Sequence, residues 1–152
     1  MGETGAEETG RGGLVGLVGG LLIGLAYLAL PAGASPGGPL TAPQLGDLAT
    51  VVGTPSLVLL SMVPVLAVII FSIGVWLWIG KPADPAGRLG GIALLGCAGV
   101  TAVTYMLPFV QVLAAMGMPL ALGLAASGFW LTMLGIALTA GGGWLQLSGS
   151  RG

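Results

Sequence analysis

Hydrophobic residues fall into four long runs, and polar residues collect in the short stretches between them. The runs are 13–30, 56–80, 89–115 and 119–145, with no charged residue inside any of them. A helix needs about 20 predominantly apolar residues to cross a bilayer, so each run predicts one transmembrane helix. The first is slightly short. In the third, Pro108 either bends or ends the helix, because proline removes a donor and clashes with the preceding turn. Pro64 is a second candidate kink, in the second run.

The boundaries carry their own signals. Pro31 closes the first run, and Thr54-Pro55 opens the second as an N-cap followed by proline at the first helical position. "KPADPAGR" joins the second and third runs, "MGMP" turns the third into the fourth, and residues 146–152 form a short tail after residues 1–12 have formed another. Between 31 and 55, Thr41 and Gln44 have capping-box spacing. Leu45, Leu48, Ala49 and Val52 then recur at helical spacing before Gly53. That pattern predicts a short amphipathic helix, about 42–52, lying at the membrane interface. "AGAS", with the small residues Ala32-Gly33-Ala34, also resembles a signal-peptidase site. The net acidic leader "MGETGAEETGR" argues against that reading, since a signal sequence begins with a basic region.

Composition supports lipid as the solvent. Of 152 residues, 55% are hydrophobic and 6% charged, against about 25% charged in a soluble domain. The four cations are Arg11, Lys81, Arg88 and Arg151. With four spans they all fall on one side of the membrane, and Asp47 falls on the other. The positive-inside rule then predicts a plasma-membrane protein with both termini cytoplasmic. Trp76, Trp78 and Trp144 fall near the same ends, as interfacial aromatic residues do.

The chemistry on offer is thin. Histidine is absent and Cys97 is the single cysteine, so no metal site, cofactor or disulfide is expected. Asp47 and Asp84 lie on opposite sides of the predicted membrane and cannot work as an acid–base pair. No cation stands near Cys97 to activate it. The spans lack the carboxylate that a rotor-ring proteolipid or a small multidrug exporter would need to bind its ion. No basic patch suits nucleic acid. An enzyme is not expected.

What remains is small residues and a few polar ones. "GGLVGLVGGLLIG" puts glycine at 12, 16, 20 and 24. Gly91 and Gly99 in the third run, and Gly135 and Gly143 in the fourth, offer further small sites at four-residue multiples. In lipid, helices associate through close van der Waals contact, which small residues permit. All eight glycines are expected at helix–helix contacts, with the first four forming one stripe that crosses its partner at a negative angle. Thr101, Thr104 and Tyr105 share one helical face. They are either a polar lining or interhelical and intrahelical hydrogen-bond partners.

The sequence thus predicts an all-α integral membrane protein: a four-helix bundle with an outer interfacial helix. The expected role is a non-catalytic subunit or accessory scaffold of a larger membrane complex. Its partners would be lipid together with other membrane subunits or further copies of itself. The alternatives are a small oligomeric transporter or channel for a neutral solute, and a lipid- or quinone-binding protein.

Overall fold

The computed structural model describes residues 3–35, 38–44, 47, 55–82, 85–115 and 127–149. Four long helices dominate: α1 (Glu3–Ala29), α2 (Val63–Gly80), α3 (Ala86–Ala115) and α4 (Ser127–Gly149). Four stretches are long and apolar enough to span a membrane, Gly10–Ala29, Val58–Gly80, Ala86–Gln111 and Ser127–Gly149, the second beginning in the 3-10 segment just before α2. The chain is a multi-pass membrane protein built as a helical bundle.

Neighbouring helices run antiparallel. α1 packs most extensively on α4 and α2, α3 packs on α4 and α2, and α1 and α3 touch little across the diagonal. The connectivity is therefore up-down-up-down around a square. Ile23, Ile70, Leu77 and Leu94 are fully buried and fill the middle. The outer faces are studded with exposed Leu, Val, Ile and Trp, including Leu28, Val68, Ile79 and Trp144, as suits a surface whose solvent is hydrocarbon.

The prolines explain the helix ends. Pro55 begins a 3-10 segment, Pro55–Met62, that runs directly into α2. Pro64 lies in the first turn of α2. Lacking an N–H, it cannot donate to Leu60, so the tight turns give way to α geometry there rather than kinking an established helix. Pro108 lies inside α3, which continues to Ala115. The third helix therefore does not stop there, although the Thr104 carbonyl loses its usual donor. Lys81 takes a left-handed conformation, φ 36°, ψ 54°, at the end of α2. Pro82 follows it, a combination that stops a helix sharply.

After α1 comes an antiparallel hairpin, β1 (Pro31–Ser35) and β2 (Gly38–Thr41), with an irregular register between Pro31 and Gly33. β1 rests against α4, so the hairpin covers one end of the bundle. The segment expected as loop up to Thr41 is thus a strand pair. Ala42–Gln44 then turn helical, and the Thr41 N–H donates to Gln44 Oε1 at 2.9 Å, which is the reach-back bond of a capping box. Most of the expected interfacial helix, along with Thr54 and the "MGMP" turn, lies outside the described residues.

Candidate functional site: the glycine seams and the buried polar row

α4 brings a regular pattern to the centre. Gly128, Thr132, Gly135, Thr139, Gly142 and Gln146 are all buried, and they alternate in steps of four and three. Seven residues turn a helix by about 700°, within about 20° of a whole number of turns, so such a row holds one face along its length.

Against this row lies α1. A Cβ built on Gly12 would sit 2.8 Å from Gly142 O, and one on Gly142 would sit 2.7 Å from Gly12 O. One on Gly19 would meet Gly135 O at 2.6 Å, and one on Gly135 would meet Gly19 O at 2.8 Å. The same reciprocity joins α3 to α4, since a Cβ on Gly91 would lie 3.0 Å from Gly143 O and one on Gly143 2.8 Å from Gly91 O. In each pair the Cα hydrogens point at the partner's carbonyl. This is the arrangement of interhelical Cα–H···O contacts, worth about 0.5–1 kcal/mol each. No residue larger than glycine can enter it without moving backbone.

The α1–α2 seam has the same logic. A Cβ on Gly13 would lie 2.6 Å from Trp78 N, one on Gly20 2.8 Å from Phe71 N, and one on Gly74 2.5 Å from Leu17 N.

The expected single stripe on α1 is therefore divided. Gly12 faces α4. Gly16 meets Leu94 of α3, with a Cβ there 2.8 Å from Leu94 Cδ1, and it also underlies Gly142. Gly20 faces α2, and Gly24 has only Ala67 Cβ at an ordinary 3.8 Å. Each four-residue step rotates about 40°, so three steps carry the stripe about 120° around the helix, from one neighbour to the next. The true seams use seven-residue pairs, Gly12 with Gly19 and Gly13 with Gly20. On α3, Gly91 is in a seam, whereas Gly99, like Gly96, has nothing within 4 Å and is exposed. Gly99 makes no contact inside the bundle because it lies on the opposite face of α3 from Ala98 and Thr101.

The polar residues mostly serve their own helices. Thr101 Oγ1 donates to Cys97 O at 2.7 Å, and Thr104 Oγ1 to Val100 O at 2.9 Å. Thr132 Oγ1 donates to Gly128 O and Thr139 Oγ1 to Gly135 O, both at 2.8 Å. Tyr105 is buried, and its hydroxyl pairs with the Thr132 side chain. The Thr132 proton is directed at Gly128 O, so toward Tyr105 this threonine accepts. Thr101 and Tyr105 thus face the interior, and Thr104 is only partly buried.

Two features escaped the sequence reading. The first is an aromatic cluster, with Phe129 stacked on Phe109 at 4.6 Å between centroids, tilted against Tyr105 at 5.9 Å and edge-on to Trp130 at 5.4 Å. The second is Gln146, buried at 2% exposure. The seven-residue spacing of Thr132, Thr139 and Gln146 was the available signal for it.

The described cations gather at one end, where α1 also carries Glu3, Glu7 and Glu8. The Cβ position of Gly10 is 3.5 Å from Lys81 Cε, which puts Arg11 and Lys81 together, and Arg88 begins α3 at the same end. Asp47 lies near Tyr27 at the other. Among the described residues no group of His, Cys, Asp or Glu could hold a metal ion. Comparison with known protein families, with characterised proteins and with solved structures finds no match.

Proposed function

We propose that the chain is a non-catalytic subunit or accessory scaffold of a larger membrane complex. The observation that carries this reading is a contrast between inside and outside. Interior hydroxyls are engaged with helix carbonyls, and interior glycines are closed by reciprocal backbone contact. Gly96 and Gly99, by contrast, open outward between Ile92, Val100 and Val103 with no described residue within 4 Å of their Cβ positions. Small residues on a lipid-facing surface permit close approach by another helix.

The test is gentle detergent extraction followed by measurement of partner stoichiometry. Partner chains should co-purify at fixed ratio with the native protein. They should be lost from Gly99→Leu, whose added Cβ meets no described atom within 4 Å and which should remain folded. A clean native monomer, or a Gly99→Leu protein that keeps its partners, would overturn the proposal. Solute flux through such a monomer in liposomes would favour the second reading, a small transporter. That reading draws on the convergence of Tyr27, Thr101, Tyr105 and Thr132 toward the Asp47 end.

The gathering of Arg11, Lys81 and Arg88 at one end supports a plasma-membrane orientation with that end, and both termini, in the cytoplasm. Cysteines placed at Ala49 and Ala86 should react with impermeant maleimide from opposite sides, Ala86→Cys from the cytoplasm. Labelling of Ala86→Cys in intact cells would reverse the assignment.

A further inference from the structure

At its basic end the α1–α4 seam closes over a polar atom that nothing pairs. Gln146 Oε1 is buried and has no hydrogen-bond partner among the described residues. It lies against Gly12, whose Cβ position is 2.9 Å away, while the Gln146 Cβ itself presses on Gly91, whose Cβ position is 3.0 Å from it. Thr132 and Thr139 occupy the same register higher on α4, and each satisfies itself on a carbonyl four residues back. Gln146 leaves its oxygen dry between helices.

A buried carbonyl without a donor disfavours the state that buries it, by about ten-fold or more in population. Water is close by, because Gly12 is two residues from Gly10, which touches the exposed Lys81 side chain. Toward α4 the neighbours at this level are Gly12, Gly142 and Gly143, so no large side chain interlocks α1 with α4 here, and α1 is held instead on its α2 side, where Gly13 meets Leu77 and Trp78. Two turns deeper, Gly19–Gly135 and the nearby, fully buried Ile23 do hold it. α1 also continues beyond its apolar span as one helix from Glu3, which adds about two turns before that span.

We propose that the basic end of the α1–α4 seam is a latch. It opens at Gly12–Gly142, pivots on Gly19–Gly135, and hydrates Gln146 Oε1 when open. Opening exchanges the desolvation of one amide oxygen for the contacts of Gly142 with Gly12 and Gly16, so the balance is tuned at residue 146.

Nitroxide labels at Arg11→Cys and Ser148→Cys, in a Cys97→Ala background, report the separation of the two helix ends by pulsed electron resonance. The native chain should give a short and a long distance. Gln146→Met keeps the length and removes the dry oxygen, so the long component should fall about ten-fold. Gln146→Glu carries a charge that must be hydrated, so the long component should become dominant at neutral pH. A single distance in the native chain overturns the latch. So does a long component that is unchanged or enlarged in Gln146→Met, since the amide would then be holding the seam closed. If Gln146→Met fails to fold, a Gln146→Glu distance identical to the native one overturns it equally.

Discussion

Gly19→Leu separates α1 from α4 and unfolds the bundle under conditions where the native protein is stable. Even the first carbon of the new side chain is excluded. It would lie on Thr139 Oγ1, 2.6 Å from Gly135 O and 2.8 Å from Thr139 N. Two of these three atoms belong to backbone, so no rotamer change relieves the overlap, and α4 must move as a unit. Overpacking a well-filled core costs about 1–3 kcal/mol where side chains can adjust. With rigid backbone opposite, the loss should be at the top of that range or beyond it. The midpoint of unfolding in mixed detergent micelles measures it. The control is Gly96→Ala, where the same added carbon meets nothing within 4 Å. That variant should match the native midpoint or exceed it, by up to the roughly 1 kcal/mol that alanine gains over glycine in a helix. Equal midpoints for Gly19→Leu and the native chain would mean that the α1–α4 seam does not hold the bundle together.

Gly74→Leu should have an effect of similar size through the other seam. Its added carbon would lie 2.5 Å from Leu17 N and 2.7 Å from Leu17 Cα, again backbone on the opposing helix. Here α1 is pushed off α2, while Gly12–Gly142 and Gly19–Gly135 are untouched. The two substitutions should each lower the unfolding midpoint. Combined, they should be less than additive, because α1 released from one neighbour can yield to the other. Full additivity would indicate that the seams act as independent units.

The sequence and the structure agree where one physical rule dominates. Four uncharged runs of spanning length specify four helices regardless of detail, because lipid leaves the backbone no other way to satisfy itself. Thr41 and Gln44 were legible as a cap because their spacing is local. Packing partners were not legible to the same degree. Gly12, Gly16, Gly20 and Gly24 attract notice as a run, but the seams are decided by which glycines stay on one face over two turns. Gly19, hidden among its neighbours in "LVGGLL", matters more than Gly24. Gly99 shares its spacing with Gly91 yet points away from it, because eight residues rotate a helix by about 80° beyond whole turns. The hairpin at Pro31–Thr41 carried no strand alternation, only the Gly- and Pro-rich composition of a turn. Gln146 was invisible for a different reason. A single glutamine near a predicted helix end reads as an interfacial residue, and only the approach of Gly12 and Gly91 buries it.

The partition of charge to the two ends of the bundle has an electrical consequence. A membrane potential acts on charge moved through its field, with about 2.3 kcal/mol per elementary charge per 100 mV. Arg11, Lys81 and Arg88 lie at one end of the bundle, where α1 also carries Glu3, Glu7 and Glu8, and Asp47 lies at the other, whereas the apolar segments 12–29, 58–80, 89–111 and 127–149 carry no formal charge. A rearrangement confined to the uncharged segments moves no formal charge through that field, so the membrane potential should leave its balance where packing and hydration set it.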